Sequence, residues 1–451
     1  MIKPTISNPP SLTRAQWVVL LAAFGGWLFD GFEIGLFPVV ARPALLDLLG
    51  SGGDVRVGLW MARITAAFLL GAAAGGVVFG WLGDRVGRVR ALAASILTYS
   101  LFSGFAYLAQ APWHLAGLRF LAALGMGGEW SLGVALVMEC WPERWRPALA
   151  GVIGAAANVG FLLTGVVAEI KHITPTSWRW MFLVGASPAL LVFWVLFFVP
   201  ESERWRRSVQ AGIAHPVREV FGPGLRGRTL LAIMFASVAL IGTWGSVQWL
   251  PLWADQLAQA QAAKETAAES AAQRAPANAA QAAATANAAH AIQREAEAAK
   301  AHAQVAQALG AIAGCLLAPW LGARLGRRPA YCILCGSSLV LCGFMFRAVT
   351  TFGPVFLVTG FLVSLATASF YGWFPLYLPE LFPTRVRATG QGLSYNFGRV
   401  VAAGGALAQG RLVAAFGGSY ARAGAVITLV YLVGMVSIWF APETKGQPLP
   451  E

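Results

Sequence analysis

Charge is what this chain has least of: only 12% of its 451 residues are Asp, Glu, Lys or Arg, against 57% hydrophobic residues and a mean hydropathy of +0.63. So dilute a charge excludes an ordinary soluble surface, and the solvent for most of the chain must be lipid. Acids are scarcer than bases, 20 against 33, which leaves a formal charge of +13. The bases sit in short clusters between apolar runs and do not line one face of a domain, so they speak against nucleic acid and for setting topology in a bilayer. Cysteine is sparse too. Cys332 and Cys335 have CxxC spacing, but they fall in an apolar run with no second pair or histidine nearby, so small residues packing in a helix is the better reading and no metal site is expected. No phosphate loop of the G-x-x-x-x-G-K-[ST] type occurs, which argues against direct ATP drive, and no G-x-S-x-G turn or metal-ligand cluster marks a membrane enzyme.

What the chain has in abundance is apolar runs of about 20 residues, the length that spans a bilayer as a helix. Twelve are expected. The first six are Ala15 to Val40, Gly58 to Leu82, Ala91 to Gln110, Trp113 to Glu139, Pro147 to Ile170 and Arg179 to Val199. The second six are Thr229 to Trp253, Ala303 to Leu321, Ala330 to Val349, Gly353 to Leu378, Thr389 to Phe416 and Tyr420 to Phe440. The N-terminal stretch to Arg14 is polar with two consecutive prolines, so no cleavable signal is expected and the first run serves as its own insertion signal. Basic residues of the short loops gather on one side if both termini are cytoplasmic.

The chain also repeats itself. Gly80-Trp81-Leu82-Gly83-Asp84-Arg85-Val86-Gly87-Arg88 returns as Trp320-Leu321-Gly322-Ala323-Arg324-Leu325-Gly326-Arg327-Arg328. The pattern E-x-x-P-x-R-x-R at Glu139 to Arg146 returns at Glu380 to Arg387, and Pro200-Glu201-Ser202 returns as Pro442-Glu443-Thr444. Each pair is offset by roughly 240 residues, as in the parallel repeats of many secondary transporters. The expected organisation is a cytoplasmic N-terminus (1–14), a six-helix bundle (15–199), a cytoplasmic linker (200–228) with a short helix near Glu201 to Gln210, a second six-helix bundle (229–440) and a cytoplasmic C-terminus (441–451). An Ala/Gln-rich insert (254–301) interrupts the second bundle. Its charges make lipid insertion costly, and its alanines suggest two helices broken near Pro276, the second running into the eighth span. It lacks the large side chains to bury a core, and reads as a tolerated extracytoplasmic spacer, with a partner-binding arm as the alternative.

G-W-L-G-D-R-V-G-R, with Asp84, Gly87 and Arg88 in the diagnostic places, resembles the signature loop of the major facilitator superfamily, and P-E-S-E-R-W from Pro200 and P-E-T-K-G from Pro442 resemble half-ending motifs of its sugar-porter-like branch. Asp30 to Glu33, Arg119 through Trp130, and Leu378 to Arg385 are similar to proton symporters of organic anions such as aromatic acids, sialate and related metabolites. The resemblance implies an all-α membrane protein of twelve transmembrane helices in two pseudo-symmetric six-helix bundles.

Around the repeated loops, Asp84, Glu139, Glu201, Glu380 and Glu443 can meet Arg88, Arg144, Arg146, Arg327, Arg328, Arg385 and Arg387, forming a cytoplasmic gate that closes and breaks as the halves rock. Alternatively these arginines only anchor helix ends. Ala323 stands where the first copy has Asp84, so the gate should be asymmetric.

Transport chemistry is expected where charge is expensive, in mid-span. Asp30 and Glu33 share a face of the first span, Glu129 lies in the fourth, and these three acids are candidates for the coupling proton, the only cofactor-like species expected. Histidine is a poor carrier here because His114, His172, His215, His290 and His302 fall in loops or at span ends. Arg119 and Arg399, one per half, are candidates to clamp an anion, with Asn396 on the face of Arg399. A fixed pair such as Asp30 with Arg119 is the structural alternative. Trp244, Gln248, Tyr371 and Tyr395 are candidate walls of the site, as are Trp249 and Trp373, and for each of them packing is the competing reading.

The function these residues imply is proton-coupled symport of a small organic anion by a monomer in the cell membrane. A sugar porter, an efflux pump and a transporter-like sensor are the alternatives. Gln248-Trp249-Leu250-Pro251 does not resemble the sugar branch's double-glutamine seventh-span signature.

Overall fold

The computed structural model describes residues 12–50, 53–170, 173–212, 214–272, 279–417 and 419–451. Every regular element among them is helical, as hydrocarbon demands of a backbone whose polar groups must be satisfied within each segment. In order these are α1 (Arg14–Leu49), α2 (Gly53–Val86), α3 (Arg88–Phe105), α4 (Pro112–Cys140), α5 (Arg146–Ile170), α6 (Trp180–Gly185), α7 (Ala189–Phe198), α8 (Glu203–Gln210), α9 (Pro216–Val220), α10 (Arg226–Gly245), α11 (Leu250–Ala272), α12 (Ala279–Leu325), α13 (Arg327–Ala348), α14 (Pro354–Leu381), α15 (Arg387–Ala415), α16 (Tyr420–Ile427) and α17 (Val430–Ser437). Helices α1 to α5, with α6 and α7 end to end as the sixth span, make the first bundle. The second runs from α10 to α17, and α8 and α9 occupy the linker.

Eleven stretches among the described residues are long and apolar enough to cross a bilayer. The twelfth, α15, is long enough at 29 residues, but Gln391, Asn396, Arg399, Gln409 and Arg411 dilute its apolar content. It packs against α2, α4 and α10, where a polar helix is sheltered from lipid.

Three spans differ from expectation. Helix α1 runs on to Leu49 through Pro38 and Pro43. Pro188 withholds an amide between α6 and α7, and breaks the sixth span. The seventh span breaks at Ser246, where a 3-10 turn (Val247–Trp249) separates α10 from α11. The insert is helical on both sides of Pro276, which itself lies outside the described residues, and α12 is one helix of 47 residues, roughly 70 Å at the usual rise. Its lack of large side chains is met by alanine packing. Ala258, Ala296 and Ala299 bury one another against Phe352, whose amide donates to Gln261 at 2.7 Å.

Glycines carry the duplication into the packing. A Cβ at Gly71 or Gly75 of α2 would meet the Phe120 or Leu124 carbonyl of α4 at 2.2 or 1.9 Å. Roughly 240 residues on, a Cβ at Gly310 or Gly314 of α12 would meet the Phe361 or Leu365 carbonyl of α14 at 2.2 or 2.0 Å. Gly76 and Gly80 face the other way, letting α2 close on Gly392 and Ala388 of α15 in the second half.

Candidate functional site

Two groups of buried charge stand out: a lattice where the repeated loops lie, here called the motif end, and a cluster between the halves. At the motif end, Gly87 (φ +114°) and Gly326 (φ +102°) adopt the left-handed region to start α3 and α13 sharply. Each start is capped by a carboxylate. Glu201 accepts from the amides of Arg88 and Val89 at 3.0 and 3.2 Å, and Glu443 accepts from those of Arg327 and Arg328 at 2.9 and 3.1 Å. Burial pushes the Glu201 carboxyl above its ordinary value despite the amides of Ser202, Val89 and Arg88. Burial also pushes Glu443 up, but the amides of Arg327, Arg328 and Lys445 outweigh it and hold the carboxyl down.

The side chains repeat as well. Arg88 donates to the Gly83 carbonyl at 2.7 Å and pairs with Glu139 at 3.2 Å. Arg327 donates to the Gly322 carbonyl at 2.9 Å and pairs with Glu380 at 2.6 Å.

Among the described residues, Asp84, Arg88 and Glu139 of the first copy reach across the halves, to α15 and the turn before it. Asp84 pairs with Arg88 at 2.7 Å and accepts from the amides of Ala388 and Thr389 at 3.2 and 2.8 Å and from the Thr389 hydroxyl at 2.6 Å. Arg88 donates to the Thr384 carbonyl at 2.6 Å, and Glu139 takes Arg387 at 2.8 Å. In the second copy Ala323 has nothing to offer, and the first turn of α5 carries Pro147 and Ala148, which lack the amide and the hydroxyl that Ala388 and Thr389 of α15 donate to Asp84. Arg146, the counterpart of Arg387, pairs with the exposed Glu143 at 3.1 Å, and its buried Nε and Nη2 have no partner among the described residues.

Other gate candidates take partners the sequence did not suggest. Arg385 pairs with Glu219 of the linker at 2.7 Å, Arg328 donates from Nε to the Ala441 carbonyl, and Arg144 sits in the turn before α5. The C-terminal segment folds back over this end. Leu449 is buried, and the Pro450 carbonyl accepts from Arg387 at 2.7 Å and from the Thr384 amide at 3.2 Å.

In the cluster between the halves, Asp30, Glu129 and Arg399 come together, with Glu33 next to Asp30. Gly26, one turn before Asp30, makes room: a Cβ there would meet Glu129 Oε1 at 1.9 Å. Both carboxylate oxygens of Asp30, both of Glu129, and Nε and Nη1 of Arg399 are buried without a hydrogen-bond partner among the described residues. Arg119 is not paired with Asp30. It is held by the Glu33 carboxylate and carbonyl, while Ser103 donates to Glu33 at 2.9 Å and the Phe68 ring lies under the guanidinium at 4.7 Å. The two arginines therefore have different surroundings: among the described residues Arg119 is paired with an acid and Arg399 has two buried nitrogens without a partner.

Aromatic side chains wall this cluster. Tyr395 stacks on Trp130 at 4.0 Å and meets Tyr371 edge-on at 6.4 Å. Asn396 turns aside to donate to the Gly127 and Gly392 carbonyls at 2.8 and 2.9 Å. Trp244 packs half-buried against Ala66, Leu69, Ala402 and Ala403, Gln248 is exposed on the 3-10 turn, Trp249 meets Tyr420, and Trp373 packs on Tyr331 within the second bundle. Missed from the sequence were Trp27 and Trp130, buried against Tyr395, and Gln391, buried one turn before Tyr395 with its amide unpartnered among the described residues. Spacing held a signal for each: Trp27 precedes Asp30 by three residues, Trp130 adjoins Glu129, and Gln391, Tyr395 and Arg399 recur every four residues on one face.

Comparison with known proteins agrees with this architecture. A protein of Haemophilus influenzae named for metabolite transport is 27% identical over 450 residues, 96% of this chain and 98% of that one. The cis,cis-muconate transport protein of Acinetobacter baylyi is 27% identical over 443 residues, 96% of this chain and 95% of its own. The solved structure of the proton:xylose symporter XylE bound to 6-bromo-6-deoxy-D-glucose superposes with a TM-score of 0.71 at 18% identity, covering 96% of this chain and 98% of that one, a likeness of fold. The sequence profile of the Major Facilitator Superfamily matches residues 19–289.

Proposed function

We propose that this chain, which belongs to the Major Facilitator Superfamily, carries a small organic anion through the membrane together with a proton. It is a transporter and not an enzyme. The observation that supports the reading is the cluster of Asp30, Glu129 and Arg399, whose six buried polar atoms lack partners among the described residues. Charge buried in a span is costly and is retained where it handles a solute or an ion. The guanidinium of Arg399 suits a carboxylate from the substrate. Asp30 and Glu129, two acceptors with no donor between them, suit a shared proton.

The lattice at the motif end serves as one gate. By the distribution of basic residues it faces the cytoplasm, so the α11 and α12 hairpin projects on the opposite side. With Asp84, Arg88 and Glu139 engaged across the halves, the cytoplasmic side is shut. Breaking those bonds while the halves rock exposes the cluster to the inside. Arg119, tied up by Glu33, positions the first bundle.

The muconate transport protein among the relatives supports an organic acid as substrate. The test is uptake into proteoliposomes screened over aromatic acids, sialate, dicarboxylates and hexoses. Uptake of organic acids that Arg399→Gln reduces at least tenfold is expected. Hexose uptake with no response to acids would overturn the reading.

A further inference from the structure

The rings of Trp130 and Tyr395 lie face to face, 4.0 Å apart with their planes 16° from parallel. Trp130 belongs to α4 in the first half and Tyr395 to α15 in the second, so their stack bridges the seam that must part for access to alternate. Trp27 leans on both, at 6.3 and 6.4 Å. Arg399, one turn beyond Tyr395, holds its guanidinium 5.6 Å from the centre of that ring. The indole N–H groups of Trp27 and Trp130 and two nitrogens of Arg399 are buried donors without a partner among the described residues, and the Asp30 and Glu129 carboxylates of the same cluster are unpartnered too. A buried donor is expensive to leave unmatched, so these flat faces rimmed by donors suit a flat acceptor.

We propose that Trp130 and Tyr395 are jaws that grip a flat, conjugated carboxylate between them, an aromatic or polyene acid, and that their mutual stack closes the seam between cycles. This rests on the organic-anion reading above and narrows its substrate class. A flat π-system is about 3.5 Å thick, so the jaws must separate by that much. Each jaw is fixed to a different half, so a small rocking motion supplies the gap. The inserted acid replaces one stack with two, and its carboxylate reaches Arg399. A puckered, saturated acid keeps the ion pair and loses the stacks. The net gain of one ring contact corresponds to a roughly two- to tenfold preference for the flat acid.

Matched probes isolate flatness from charge and length: benzoate against cyclohexanecarboxylate, and cis,cis-muconate against adipate, each measured for uptake into proteoliposomes. The unaltered protein is expected to favour the conjugated member of each pair several-fold. Trp130→Leu and Tyr395→Leu should bring the ratio of conjugated to saturated uptake to about one whatever they do to the absolute rates, and Trp130→Phe and Tyr395→Phe should keep it. Equal handling of both members by the unaltered protein, or a preference that survives in folded leucine variants, overturns the jaws and leaves the organic-anion reading standing. No uptake of any of the four acids, with hexoses taken up, overturns both.

Discussion

Asp84 of the first half caps the first turn of α15 in the second, accepting from the Thr389 amide at 2.8 Å and from its hydroxyl at 2.6 Å. An acid at a helix N-terminus contributes through both hydrogen bonds and the helix dipole, together about 0.5–2 kcal/mol. Asp84→Asn keeps the shape but removes the charge. Uptake is expected to fall at least tenfold while the protein still elutes as a folded species on size exclusion. A cysteine introduced near Thr389 should become more reactive to a water-soluble thiol reagent.

Among the described residues the second copy of the lattice has no such cap, and Arg387 and Arg146 should respond differently to removal. Arg387 is buried against Glu139 across the halves, and deleting one partner of a buried pair typically costs 3–5 kcal/mol, roughly. Arg146 pairs with an exposed acid and already has unmatched nitrogens. Arg387→Ala is therefore expected to lower the melting temperature and uptake sharply, and Arg146→Ala to do little to either. Equal losses would contradict the asymmetry.

The C-terminal segment packs onto the lattice at the motif end. Leu449 is buried, and the Pro450 carbonyl takes donors from Thr384 and Arg387, both of which also bond or pair with the first half. Leu449→Asp should release it, with a stability loss on the order of 1–3 kcal/mol for a buried leucine replaced by a charge, and raise thiol accessibility at the motif end. Urea melts and thiol labelling read the two effects separately.

Glu201 and Glu443 occupy equivalent places, yet folding shifts them in opposite directions. Glu443 is held below its ordinary 4.5, so its contribution to stability is in full above that value and is lost as pH falls through the lowered one. Glu201 is raised above 4.5, so its contribution is present in acid and is lost as pH rises through the raised value. Melting curves across the acid range should show Glu443→Gln flattening the loss on acidification. Glu201→Gln should flatten the loss in the opposite direction.

Much of this was legible in the sequence because lipid makes hydrophobicity and charge unusually informative. Twelve spans and two halves follow from run length and from the repeated loops, and Ala323 announced that the second loop lacks the first one's acid; that Glu201 and Glu443 cap backbone amides instead of only meeting arginines did not follow. Pair assignments did not follow. Asp30 and Glu33 share a helical face, and spacing alone does not say that Ser103 and the Arg119 guanidinium take Glu33 while Glu129 and Arg399 come to Asp30. Those choices depend on which helix packs on which, and on room such as Gly26 leaves for the Glu129 side chain. The partners Glu219 and Pro450 came from segments with no span signal. The polar α15, the least hydrophobic span, carries the most cross-half chemistry, for the same reason that its composition hides it.

The central claim is that Asp30, beside Glu129 and Arg399, carries the proton that drives an organic anion. Uptake of benzoate or muconate into proteoliposomes, with the outside made acid relative to the lumen and with the gradient collapsed, tests it in the unaltered protein and in Asp30→Asn. The account predicts accumulation against a concentration gradient only with the proton gradient, and, in Asp30→Asn, loss of that accumulation with exchange of substrate retained. Accumulation by Asp30→Asn equal to that of the unaltered protein, or uptake indifferent to the gradient, would contradict it.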